Sequence, residues 1–331
     1  MRALTSLLIA ASFLAGCSDP TSTPAGGAGG SAAAAGSAGS AAGSGGSATA
    51  GSSSGGSAGN NSGGEGGGLG GSGNAGGGGQ AGANFEPYFF DDFDGYSDGA
   101  SLSDNKPFDA AGHTTASSEA AFSGSQSARM EIRDTDQGGF GKWGGVLPIN
   151  PALTKGQEVW VRLRVRWPAS FQFTASPWMK FLRLHTTQAD GSNAGYNDLY
   201  VDQADSTTSV LRTIKEIHDV WAVFDGPKIP RDTWESYEMY LFIDNESVDA
   251  GGAGRVRIWR DNALIFNRTD VPTIVAAEST VDYFYLFTYW NNEAPPNNHC
   301  YVDDLVIATG SSPPPNRDAD GNAFVGDWAP N

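Results

Sequence analysis

The stretch Val159–Trp167, VWVRLRVRW, sets Arg162, Arg164 and Arg166 at every second position. A period of two places successive side chains on opposite faces of a strand. Trp160 and the three arginines therefore share one face, and Val159, Val161, Leu163, Val165 and Trp167 the other. A guanidinium is a planar fork of donors matched to carboxylate or sulfate, so such a row suits an anion. In a chain of net charge −17 it reads equally as a solvated face whose arginine stems cover apolar neighbours. Alternation defines two faces without saying which is open, so both readings stand. WMKFLRLH adds Lys180, Arg183 and His185; if Leu182 and Leu184 point to the core, Phe181, Arg183 and His185 share the opposite face. NDLYVD sets Asp198, Tyr200 and Asp202 opposite Leu199 and Val201. Histidine exchanges a proton near neutral pH, tyrosine offers a hydroxyl and arginine a fixed positive charge. A lone histidine is also explained, and more often, as a hydrogen-bonded structural residue.

These residues need a scaffold, and the rest of the chain supplies strand signals almost throughout. QSARMEIRD, ESYEMYLFID, GRVRIWRD, ALIFNRT, DYFYLFTYW and CYVDDLVIA carry β-branched or aromatic residues at alternating positions between turn residues. The segment TTSVLRTIKEIHDVW fits either a short helix or a strand pair. Many short strands at this spacing predict an all-β sandwich of two antiparallel sheets. From Phe85 onward 247 residues remain, enough for one large β-domain with a proper core. We place that domain at 85–310. The segment 311–331, with three consecutive prolines, reads as a Pro-rich acidic appendage.

The first 16 residues have the form of a signal peptide, with Arg2, an apolar run Leu4–Leu14 and the sequence Leu14-Ala15-Gly16-Cys17. LAGC resembles the lipobox of bacterial lipoproteins, which implies cleavage before Cys17, lipidation of that cysteine and an outer-membrane location. Residues 18–84 are Gly, Ser and Ala with almost no large apolar side chain, too little to offset the entropy of ordering. As a coil this tether spans about 45 Å root-mean-square. With Cys17 lipidated, Cys300 is alone, so no internal disulfide is expected. The acidity argues against nucleic-acid binding, and a monomer is expected.

The opening FFDDFDGYSDGASL, the middle pair DTWESYEMYLFID and GRVRIWRDNALIFN, and the closing YWNNEAPPNNHCYVDDLVIAT resemble the concanavalin A-like jelly rolls. Laminin-G, glucanase and polysaccharide-lyase families share that fold, and the heparin- and alginate-lyase-like branches are the most similar. The resemblance implies a jelly-roll β-sandwich that binds a polysaccharide in the groove of one sheet. It further implies a lyase cleaving a uronic-acid polymer by β-elimination, or else a noncatalytic carbohydrate-binding or adhesion module. The catalytic candidates are then Arg183, His185 and Tyr200. Substrate would meet Trp160, Arg162, Arg164, Arg166, Lys180, Tyr289, Trp290 and Asn291; Tyr289 and Trp290 point opposite ways, so at most one belongs to the site. The strand with two glutamates flanking an aspartate that marks laminarinase-type hydrolases is missing: FIDNE has Asp244 and Glu246 only. Two acidic clusters could hold calcium, with a disordered acidic tail as the default reading of the first and a turn or solvated edge an equal reading of the second. Asp318, Asp320 and Asp327 follow the oxygen-ligand spacing of a calcium loop, and the resemblance implies a second candidate, Asp92 or Asp94 with Asp304.

Overall fold

The computed structural model describes residues 85–330 apart from 104–107, 109–111, 134–138, 141–142, 174–177, 204–208, 291–294 and 296. The signal segment, Cys17, the linker and Asn291 lie outside the described residues.

The strands are β1 (Phe89–Asp91), β2 (Thr114–Ser117), β3 (Ser127–Ile132), β4 (Gly139–Phe140), β5 (Gly145–Leu153), β6 (Glu158–Arg166), β7 (Trp178–Thr187), β8 (Asn193–Gln203) and β9 (Ser209–Lys215). They continue with β10 (Val220–Phe224), β11 (Trp234–Phe242), β12 (Arg255–Arg260), β13 (Ala263–Arg268), β14 (Thr280–Trp290), β15 (Asn298–Thr309), β16 (Asn316–Arg317) and β17 (Ala323–Phe324). An eight-stranded sheet runs β13-β12-β11-β6-β15-β3-β2 with β1 also on β15. A seven-stranded sheet runs β10-β9-β8-β7-β14-β4 with β5 also on β14. All pairings are antiparallel, and first and last strands of the sandwich meet at Phe90↔Val306. This is the jelly-roll sandwich.

Alternation on β6 builds the interior. Val159, Val161, Leu163, Val165 and Trp167 are fully buried in the core between the sheets, where the Trp167 ring meets Phe171, Phe173, Phe181 and Phe287. Each such side chain contributes roughly 1.5–3 kcal/mol by leaving water. Phe181 departs from the expected face. The register of β7 shifts between Lys180 and Leu182, so both Phe181 and Leu182 enter the core; an inserted residue breaks strict alternation on a strand. Residues 209–224 form a strand pair, β9 and β10, joined by a 3-10 turn at Glu216–His218. The β12–β13 hairpin turns on Asp261 and Asn262, both at positive φ, as a two-residue turn matched to strand twist requires.

Beyond Gly310 the chain does not hang free. Phe324, Val325 and Trp328 pack on Trp160, Tyr240, Trp259, Val306 and Ala308, which form a second cluster on the outer face of the eight-stranded sheet.

Candidate active site on the seven-stranded sheet

The arginine row of β6 lies on that outer face, beneath the C-terminal segment. Arg162 Nη2 donates to the Trp328 carbonyl at 2.6 Å, and Arg164 Nη2 reaches Asp327 Oδ1 at 2.8 Å. Trp160 Nε1 donates to the Ala323 carbonyl at 2.9 Å. Arg166, past the edge of the segment, pairs with Asp232 at 3.1 Å. Burial, with the neighbouring Arg164 charge, pushes the Arg162 guanidinium down to about 10. Across the pair, buried Glu238 accepts from the backbone N–H groups of Val325 and Gly326 at 2.7 and 3.0 Å, and burial pushes its carboxyl up to about 7. The row is therefore satisfied within the chain: Arg162 by a tail carbonyl, Arg164 by the tail carboxylate of Asp327 and Arg166 by Asp232. These four residues stand on the opposite sheet from Lys180, Arg183, His185 and Tyr200.

Those four share the non-core face of the seven-stranded sheet because β7, β8 and β14 run side by side in register. Lys180 faces Tyr200 and Tyr289, Arg183 faces Asp198 and Tyr285, and His185 faces Tyr196 and Tyr283. Two clusters result. In the first, His185 Nδ1 lies 2.6 Å from Asp282 Oδ1, and the other Asp282 oxygen accepts from Thr187 Oγ1 at 2.6 Å. His185 Nε2 lies 3.1 Å from Asn193 Oδ1. That oxygen also accepts from the Gly195 N–H at 2.6 Å, which fixes the side of the amide that carries the NH2 group. The rings of Tyr196, Tyr285 and Tyr283 stand 4.9, 5.9 and 6.1 Å from the imidazole.

In the second cluster Arg183 Nε donates to Asp198 Oδ1 at 2.8 Å, and its Nη2 lies 3.2 Å from Glu216 Oε2. Lys180 Nζ meets Glu216 Oε1 at 2.6 Å, and Tyr200 Oη donates to the same oxygen at 3.3 Å. Arg183 also lies 3.5 Å over the Tyr196 ring, which joins the clusters, and Lys180 lies 4.3 Å over Tyr289. Burial raises the Asp198 carboxyl to about 6 against the pull of Arg183. Burial acts the same way on Glu216, but Arg183 and Lys180 outweigh it and hold that carboxyl below its ordinary range. Burial, with the charges of Asp198 and Glu216, pushes the Tyr200 phenol far above its usual value.

Tyr289 lies on this face, whereas Trp290 is buried in the core against Phe171 and Phe287. Six participants escaped the sequence reading: Asn193, Tyr196, Glu216, Asp282, Tyr283 and Tyr285. The alternation of Tyr283 and Tyr285 with Phe284 and Leu286 is a readable signal. Asp282 depends on a register shift between Val281 and Tyr283, and Glu216 on the 3-10 turn; neither has a periodic signature.

The carboxylates considered for calcium do not gather into a ligand set. Asp318 accepts from Trp259 Nε1 and from Asn322 on both carboxylate oxygens, and Asp327 is held by Arg164 and Asn262. Asp320 donates its own backbone N–H to Asp318. Asp94 accepts from the N–H groups of Ser125 and Gln126, Asp92 from that of Asp94, and Asp304 from the Ser123 hydroxyl. Among the described residues no group of three or more His, Cys, Asp or Glu is placed to hold a metal ion.

No protein-family model matches the chain, and no curated protein matches it. Solved structures similar in architecture include an endo-β-1,4-glucuronan lyase from the fungus Trichoderma reesei. It is 13% identical, with 67% of this chain and 95% of that one covered at a TM-score of 0.44. Alginate lyase vAL-1 from a Chlorella virus is also 13% identical, covering 59% and 88% at 0.43. An alginate lyase from Aplysia kurodai is 11% identical, covering 59% and 87% at 0.42. Values this low carry nothing over to the site.

Proposed function

We propose that the open face of the seven-stranded sheet binds an acidic polysaccharide and cleaves it by β-elimination. The observation that supports this is His185, held between Asp282 and Asn193 within a ring of three tyrosines. Asp282 keeps a proton on Nδ1, and Nε2, which faces the acceptor Asn193 Oδ1 at 3.1 Å, exchanges that contact for the C5–H of a uronate and takes its proton. The imidazolium so formed has an acceptor at each nitrogen. The C5–H electron pair becomes the C4=C5 double bond, the C4–O bond breaks, and the leaving oxygen takes a proton from the Tyr285 hydroxyl. The Asn193 amide N–H groups bond the uronate carboxylate, lowering the cost of charge that spreads into it as C5 loses its proton. Arg183 and Tyr200 act from beneath, holding Tyr196 and Glu216 in place.

Incubating the full chain with alginate, glucuronan, heparin and pectin tests this through the ultraviolet absorbance of the unsaturated product. The expected result is absorbance that grows with the wild type and is lost in His185→Ala; no absorbance from any acidic polymer overturns it. One observation favours a noncatalytic carbohydrate-binding module instead. The three cationic side chains Lys180, Arg183 and Arg212 are each within 3 Å of a carboxylate. Retention on polysaccharide without product marks that outcome. We also propose that the domain is held at the outer membrane by a lipid on Cys17, with 18–84 as tether; unchanged detergent partitioning of Cys17→Ala counts against the anchor.

A further inference from the structure

In the cluster around Glu216 the charges are layered. The cations lie underneath, with the Arg183 side chain 3% exposed and that of Lys180 7%, while the Glu216 side chain is 28% exposed. A ligand settling on this end of the face meets the carboxylate before it meets either cation. Its surroundings strengthen the effect. Trp221, whose ring lies 5.5 Å from Tyr200, donates its Nε1 proton to the exposed Asp219 at 2.7 Å, so a second carboxylate stands at the same end. Arg212, beside Tyr200 in register, is paired with Asp202 at 2.6 Å. Glu216 is held in its ionised form by Arg183 and Lys180.

At the opposite end the carboxylate is less open: the Asp282 side chain is 18% exposed against 28% for Glu216, with one oxygen on His185 and the other taken by the Thr187 hydroxyl. Around His185 the exposed group is the Asn193 side chain, a neutral amide with donors to offer. The two ends of one face therefore have different affinities for charge. An anionic sugar ring over Glu216 faces a like charge in a partly dehydrated place, where repulsion is least screened. A neutral ring offers hydroxyl donors to the same carboxylate and an apolar face to the half-buried rings of Tyr289 and Trp221.

We propose that Glu216 determines the specificity of this face, making its Tyr200–Trp221 end a subsite for an uncharged pyranose and excluding a uronate there. The substrate class is then a heteropolysaccharide in which a uronate at His185 is flanked by neutral residues, rather than a run of uronates. This rests on reading the face as a polysaccharide site, but it does not depend on cleavage.

The test compares ligands that differ only in charge. Binding of the full chain to polygalacturonate and to a half-esterified polygalacturonate, in which free uronates stand beside uncharged methyl esters, is measured by affinity electrophoresis, with product absorbance followed in parallel. The wild type should bind the ester about tenfold more tightly, since like-charge juxtaposition is the discriminating term. Glu216→Gln, checked for an unchanged circular-dichroism spectrum, should bind the free acid more tightly and close that gap. Hyaluronan, which alternates a uronate with an uncharged sugar, should be bound in preference to alginate by the wild type. Equal wild-type binding of acid and ester overturns the proposal, and so does a Glu216→Gln gap as wide as that of the wild type. Ester preference without product from any polymer leaves Glu216 as the selector and removes the lyase reading. Cleavage of alginate and hyaluronan at equal rates removes the selector and leaves the lyase.

Discussion

On the eight-stranded sheet Arg162, Arg164 and Arg166 follow one another at every second residue. On the seven-stranded sheet Lys180, Arg183 and His185 occupy one face of β7. Both sets project away from the core, and both have acidic partners. The first set is covered by the chain itself, because residues 316–328 return across it and place a carbonyl and a carboxylate on Arg162 and Arg164. The second has no such cover from the described tail, and its partners come from neighbouring strands of the same sheet. A row of cations thus indicates an anion, but not whether the anion is a ligand or a distant part of the same chain.

The largest effect should come from breaking the open face. On the proposed mechanism His185→Ala removes the atom that takes the proton, and Asp282→Asn the acceptor that orients it, so product formation on an acidic polymer should fall ~10²–10⁴-fold. Arg164→Ala should leave turnover intact, because Arg164 lies on the other sheet. Loss of turnover in Arg164→Ala with none in His185→Ala would exchange the roles assigned to the two faces.

Breaking the covered face should cost stability instead. Arg162 is 1% exposed, with Glu238 across the strand pair and Asp304 Oδ2 at 3.6 Å. Arg162→Ala leaves those buried carboxylates without their cation and should lower stability by ~3–5 kcal/mol in urea denaturation. A loss below about 1 kcal/mol would mean that the tail does not depend on the row.

The covered face should also respond to pH. Glu238 titrates near 7 in the folded protein and near 4.3 when unfolded, so between those values the folded state binds more protons. Stability from this group is complete below about 4.3 and is lost as pH rises through 7, by about 4 kcal/mol in all. Asp303, raised by burial to about 7, and Asp198, raised to about 6, slope the same way. Thermal melts from pH 4.5 to 7.5 should therefore fall in the wild type and fall less steeply in Glu238→Gln. Parallel curves would remove Glu238 from the account.

Where alternation is strict, the sequence is a good guide: β6 sorts its core and outer residues as expected, and the jelly roll follows from many such strands. Legibility fails at three kinds of place. Bulges turn Phe181 inward and bring Asp282 to His185, and the cost of an extra residue is not written in any period. The Glu216 contacts depend on a 3-10 turn between two strands. The third is long-range cover. In NAFVGDW nothing local says that Val325 and Gly326 will dock on Glu238, 87 and 88 residues away. That contact decides what the arginines do.

The smallest effect should come from Arg166, and it sharpens the comparison within a single strand. Side-chain exposure along the row rises from 1% at Arg162 through 12% at Arg164 to 26% at Arg166 as the tail falls away. Arg166 pairs with Asp232, which is 49% exposed and also accepts from the Ala169 N–H at 3.2 Å. Asp232 therefore keeps a partner when the arginine is removed. An ion pair this open is screened by water and salt, so Arg166→Ala should cost only ~0.5 kcal/mol. Even that should vanish at 1 M salt, where the Debye length is about 3 Å. Arg162→Ala should keep most of its cost at high salt, because its partners are shielded from ions. Equal, salt-sensitive losses at both positions would mean that burial under the tail does not grade this row, and that all three arginines behave as one solvated face.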